Sequence, residues 1–132
     1  MPSVLVVDDD VEVGEVLRRV LERGGLGVRV VNSARAALEA VAESEPEITI
    51  TDVIMPHQNG VDLIRSLRAR SPRMKIVAIS GGGSFGPSSY KPDAISTHAY
   101  LAAARAAGAS EVLAKPFDMD ELLEAVRRLL PG

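Results

Sequence analysis

Five times along this chain, a short apolar run with no polar alternation gives way to a segment whose apolar residues recur at helical spacing. The runs fall at residues 4–7, 28–31, 48–51, 76–79 and 111–114. A short apolar run without alternation reads as a strand buried on both faces, as in a parallel sheet. After the first run, Val13, Val16, Leu17, Val20 and Leu21 follow the helical period from Val11 until Gly24 and Gly25 end it. Further helices are expected at 33–43, from near Asn59, at 97–107 and at 118–130, where Asp118 and Glu121 have the spacing of a capping box. Strands that alternate with helices require right-handed crossovers, and the crossovers cover both faces of a parallel sheet. The expected class is therefore α/β with a doubly wound five-stranded sheet. Gly14 sits inside the first helix, where glycine is unfavourable, and the sequence offers no reason for it.

Composition narrows the function classes. The 132 residues fit one domain, expected to span 1–132, with 46% hydrophobic and 25% charged residues as in an ordinary folded protein. A net charge of −3 supplies no basic footprint for nucleic acid or an anionic lipid surface. Without cysteine there is no thiolate to bind metal or attack a substrate, so any metal site must use hard oxygen ligands. The first apolar run is short and ends in three acids, unlike a signal peptide or a membrane span, and a cytoplasmic location is expected. Pro131 and Gly132 directly follow the last helix, leaving no room for an effector domain within these residues.

Open α/β sheets bind ligands beyond the carboxyl ends of their strands. Asp8, Asp9 and Asp10 follow the first strand, Asn32 the second, Asp52 the third, Ser80 the fourth and Lys115 the fifth. Singly, each is only the polar residue that any strand end needs. Jointly, three carboxylates, a hydroxyl and an amine are the parts required to hold a divalent cation and a phosphoryl group. Asp8, Asp9 and Asp52 would repel one another, and Mg²⁺, or Mn²⁺ in its place, suits such a carboxylate set. Asp52, alone at its strand end, is the candidate nucleophile toward phosphorus, through an aspartyl phosphate. Asp10 reads as the cap of the first helix rather than a third ligand.

Gly81, Gly83 and Gly86 spell G-x-G-x-x-G, but they follow the fourth strand rather than the first. Pro87 and the residues after it block an immediate helix, which a dinucleotide fingerprint needs. A long loop is expected there.

At "VLVVDDD", "TDVIMPHQNG", "VAIS" and "VLAKPF" the chain resembles the receiver domains of two-component response regulators. The resemblance spans essentially the whole sequence and implies a flavodoxin-like strand order, 2-1-3-4-5. It implies Asp52 as phosphoacceptor, Asp9 as a direct Mg²⁺ ligand, Asp8 as an acid acting largely through water, and Ile54 as a ligand through its backbone carbonyl. Ser80 corresponds to the switch hydroxyl and Lys115 to the lysine that pairs with the phosphate, joined to Pro116 by a cis bond. In that order the fifth strand lies two spacings from Asp52, roughly 10 Å, a gap that suits a long cationic side chain. Met55, Pro56 and Gly60 would shape the loop after Asp52.

The implied function is a phosphorylation-dependent switch. It takes a phosphoryl group from a sensor histidine kinase or a histidine phosphotransfer protein and then controls a downstream protein, with no nucleic-acid or membrane partner for this chain. It would catalyse only its own phosphorylation and dephosphorylation. Two rivals use the same residues: a haloacid-dehalogenase-like phosphatase with Asp8 as nucleophile, and an inactive pseudo-receiver that only binds a partner. The phosphatase leaves Asp52 without a role and lacks a cap domain and a late acidic pair.

The chain also departs from the family. Val112 stands where an aromatic residue is usual, and Ser80 and Lys115 are unusually far apart because of the glycine-rich loop. Residues 81–96 are expected to form a mobile flap that replaces the aromatic readout, with Phe85, Tyr90 and Tyr100 in or just after it. Alternatively, Tyr100 packs in the core and the loop is passive. His57 reads as a solvated loop residue, His98 as part of the first turn of the fourth helix, and Arg65 to Arg73 as a positive, mostly solvated face.

Overall fold

A computed structural model describes residues 2–55, 58–80, 94–114 and 117–130. Along the chain run β1 (Ser3–Val7), α1 (Val11–Arg23), β2 (Gly27–Val31), α2 (Ala34–Glu43), β3 (Ile48–Asp52), β4 (Ile54–Met55), β5 (Gln58–Asn59), α3 (Gly60–Arg70), β6 (Lys75–Ser80), α4 (Ala94–Ala107), β7 (Glu111–Ala114) and α5 (Met119–Leu129). Five strands form one parallel sheet in the order β2-β1-β3-β6-β7. Counting only the strands of that sheet, this is the expected 2-1-3-4-5. The tiny antiparallel pair β4-β5 was not expected, because two-residue strands have no periodicity to show in a sequence.

Burial follows position in the sheet. Every residue of β3 is buried, as are four of the five in β1, whereas the edge strand β2 is half-buried throughout. One face carries Leu5, Val7, Ile76 and Ala78 against Ala37, Val41, Ile64, Leu67 and Ala104 of α2, α3 and α4. The other carries Val4, Val6, Ile48, Ile50, Val77 and Ile79 against Val13, Leu17, Leu21, Leu122 and Val126 of α1 and α5.

The helix starts are set by side chains that accept the orphan amides of the first turn. Asp10 caps α1, Ser33 caps α2 and Asn59 caps α3, while Asp118 and Glu121 form the capping box of α5. Gly14 now has its reason: a Cβ there would lie 2.8 Å from Cγ1 of Val30, so glycine lets α1 sit close to β2.

Helix α4 begins at Ala94, three residues before the expected start, which moves His98 into its second turn. Residues 94–96 of the expected flap are thus helical, and the rest of it, with Phe85 and Tyr90, lies outside the described residues. Tyr100 is 37% exposed, so it is not a core residue. Val112 is half-buried and packs on the α3-side core together with Ala103 and Ala107 of α4.

At the N-terminal ends of β6 and β7, away from the acids, Arg68 ties three segments together. Its Nε and Nη2 donate to the Gly108 carbonyl at 3.2 and 2.7 Å. Its Nη1 donates to the carbonyls of Ser71, Pro72 and Met74 at 3.3, 2.9 and 2.6 Å. Gly108 has φ +126°, and a Cβ there would stand 2.9 Å from Cγ of Arg68.

Candidate phosphorylation and metal site

Register brings the acids together. β1 and β3 are neighbours whose last pair is Val7 with Thr51, so the next residue of each strand, Asp8 and Asp52, emerges side by side. The carboxylates of Asp8, Asp9 and Asp52 lie within 4.8 Å of one another; Asp8 and Asp52 are buried and Asp9 is exposed. Asp8 Oδ1 accepts the Asp10 amide at 2.9 Å, which fixes the turn that leaves β1. Asp10 points away from the group, because its Oδ1 accepts the amides of Glu12 and Val13. It is a helix cap, as its sequence position suggested.

Three like charges at this spacing, two of them buried, are strongly disfavoured without a counter-charge. The donor set is all carboxylate oxygen, which fits Mg²⁺ or Mn²⁺ and not a soft metal. Ile54, the other ligand expected from the resemblance, lies in β4, one residue beyond Val53.

On the far side of Asp52 is β6. Asp52 pairs with Ile79, and the Val53 amide donates to the Ile79 carbonyl at 2.9 Å. The next residue, Ser80, is 0% exposed, and its Oγ has no hydrogen-bond partner among the described residues. A buried hydroxyl in that state costs about 1–3 kcal/mol, an expense that calls for a reason. Ser80 pairs with the exposed Ala114, so β7 also ends beside this edge. Lys115 and Pro116 follow Ala114 but lie outside the described residues, as do Pro56 and His57.

Two further residues lie against the Asp52–Val53 backbone: Gly60, which the resemblance implied would shape the loop after Asp52, and Thr51, which the sequence did not single out. Gly60 opens α3 directly against the Asp52–Val53 backbone, with its amide donating to the Val53 carbonyl at 3.1 Å. Thr51 is fully buried, and its Oγ1 donates to the Asp52 carbonyl at 3.0 Å. The available signal for Thr51 was a hydroxyl in a run otherwise suited to burial on both faces.

The family model for the response regulator receiver domain matches residues 4–127. The chain belongs to that family. Among curated relatives, it is 35% identical over 127 residues to the response regulator MprA of Mycolicibacterium vanbaalenii, covering 96% of this chain and 49% of the relative. It is also 35% identical over 130 residues to the DNA-binding transcriptional regulator NtrC of Azospirillum brasilense, covering 97% of this chain and 24% of that protein. The receiver thus spans about half or a quarter of the length of these relatives. Among solved structures, the receiver domain of NtrX from Brucella abortus superimposes with a TM-score of 0.82 at 26% identity, covering 96% of this chain and 97% of that one.

As a receiver domain, the chain is a phosphorylation-dependent signalling switch rather than an enzyme acting on an external substrate. Receiver domains bind Mg²⁺ at a cluster of aspartates, and Asp8, Asp9 and Asp52 form such a cluster here. Among the described residues no helix is long and apolar enough to cross a membrane.

Proposed function

We propose that Asp52 is the phosphoacceptor of this receiver and that it takes its phosphoryl group from the phosphohistidine of a sensor histidine kinase or a histidine phosphotransfer protein. The observation that carries this reading is the convergence of Asp8, Asp9 and Asp52 within 4.8 Å at the carboxyl ends of two adjacent strands. A carboxylate oxygen of Asp52 attacks phosphorus; the new O–P bond forms as the P–N bond breaks, and its electron pair stays on the donor imidazole. Asp8, Asp9 and Asp52, with the Ile54 carbonyl, would hold Mg²⁺ or Mn²⁺. The bound cation would offset the repulsion between the carboxylate and the phosphoryl oxygens.

The other residues act on the product. The Ser80 hydroxyl, which has no partner among the described residues, gains a phosphate oxygen as acceptor, and that gain is a force for conformational change because it exists only after phosphorylation. Lys115 supplies a point charge from the fifth strand of the sheet to the same oxygens. The chain catalyses its own phosphorylation and dephosphorylation, and residues 1–132 act as one receiver domain that controls a protein target.

Intact-mass measurement after incubation with acetyl phosphate and Mg²⁺ tests this reading. The wild-type chain should gain one phosphoryl group and Asp52→Asn none. Absence of added mass on the wild-type chain would support the inactive pseudo-receiver instead.

A further inference from the structure

Strand β3 reads Ile48-Thr49-Ile50-Thr51-Asp52, and all five residues are buried. A central strand of a parallel sheet calls for apolar side chains on both faces. Valine would fill the same space as threonine without bringing a hydroxyl into the core, where burying one is unfavourable unless it is hydrogen-bonded. Two such hydroxyls nevertheless lie on one face of β3, and their partners differ. Thr49 Oγ1 donates to Sδ of Met74, a weak acceptor, at 3.3 Å. Thr51 Oγ1 meets the backbone carbonyl of Asp52 at 3.0 Å.

The Asp52 carbonyl and the Val53 amide are two ends of one planar peptide unit. The last register pair of β1 with β3 is Val7 with Thr51, so this peptide unit follows directly on the paired part of the strand. The amide end of the unit is held by the Ile79 carbonyl at 2.9 Å, and the carbonyl end by Thr51. Rotation of this unit would turn the Cα of Asp52 and swing its carboxylate away from Asp8 and Asp9.

We propose that Thr51 is a positioning residue for phosphorylation: its hydroxyl locks the Asp52–Val53 peptide and so keeps the Asp52 carboxylate in the acidic group. This role rests on Asp52 being the phosphoacceptor.

The test uses the full chain with Thr51→Val, Thr51→Ser and, as a matched control on the same face, Thr49→Val. Two quantities are read: the phosphorylation rate with saturating acetyl phosphate and Mg²⁺, and amide hydrogen exchange at Val53 without metal or phosphodonor. Thr51→Val should slow phosphorylation about tenfold, the effect of losing one orienting hydrogen bond, and should speed exchange at Val53. Thr51→Ser, which keeps the hydroxyl, should restore both, and Thr49→Val should change neither. A wild-type rate in Thr51→Val, a failure of serine to rescue, or an equal loss in Thr49→Val would overturn the positioning role while leaving Asp52 as acceptor. A wild-type chain that takes up no phosphoryl group would overturn the acceptor assignment and the positioning role with it.

Discussion

Gly60 lies so close to Asp52 that a Cβ at position 60 would stand 2.5 Å from the Asp52 carbonyl oxygen and 2.5 Å from Cα of Val53. Both are backbone atoms, so neither can turn aside as a side chain would. Gly60→Ala must push α3 off the end of β3 or distort the strand that carries the phosphoacceptor. The expected loss is about 3 kcal/mol in urea unfolding, near the upper end for overpacking, together with slower phosphorylation of the folded fraction.

The same reasoning at Gly14 predicts a change of sign. The obstacle there is the tip of the Val30 side chain, 2.8 Å from the would-be Cβ. Alanine is favoured over glycine in a helix by about 1 kcal/mol, while overpacking costs about 1–3 kcal/mol. Gly14→Ala alone should therefore destabilise the chain. In a Val30→Ala background the obstacle is gone, and the same substitution should stabilise it. A double-mutant cycle by chemical denaturation checks both signs.

Arg68 engages four carbonyls from two segments, the 71–74 connection and Gly108, at the end of the sheet away from the acids. Arg68→Met keeps much of the stem but leaves those carbonyls without their charged donor, at an expected loss of about 3 kcal/mol. The phosphorylation rate of the folded variant should be unchanged, measured by intact mass against time.

Ser80 predicts opposite effects in the two states. Ser80→Ala removes a buried hydroxyl that has no partner among the described residues, so the unphosphorylated chain should gain about 1 kcal/mol by thermal unfolding. The further stabilisation that phosphorylation brings to the wild-type chain should shrink in the variant. Loss of stability in the unphosphorylated form would show that the hydroxyl already has a structural use.

Much of this architecture was legible because burial on both faces writes an unmistakable pattern. All five sheet strands were placed within one residue of their ends, and Asp10 and Asp118 were recognised as caps from their local spacing. The acids were legible for a related reason, since ligands gather where parallel strands end. That Asp8 and Asp52 meet depends on β1 and β3 being neighbours, an order supplied by family resemblance rather than by any local pattern. What escaped the sequence is tertiary. Gly14 answers to Val30 on another element, Thr51 answers to a backbone carbonyl, and the two-residue pair β4-β5 is too short to carry a period. The start of α4 was set too late, at Thr97, whereas the helix already runs from Ala94.

The most direct measurement is to phosphorylate the chain with acetyl phosphate and Mg²⁺, reduce it with borohydride, and map the product by peptide mass spectrometry. Borohydride converts an aspartyl phosphate to homoserine and so marks the acceptor itself. Conversion of Asp52 alone is the predicted result. Conversion of Asp8, the nucleophile of the rival phosphatase, or of neither residue in a chain that carries the phosphoryl group, would contradict it.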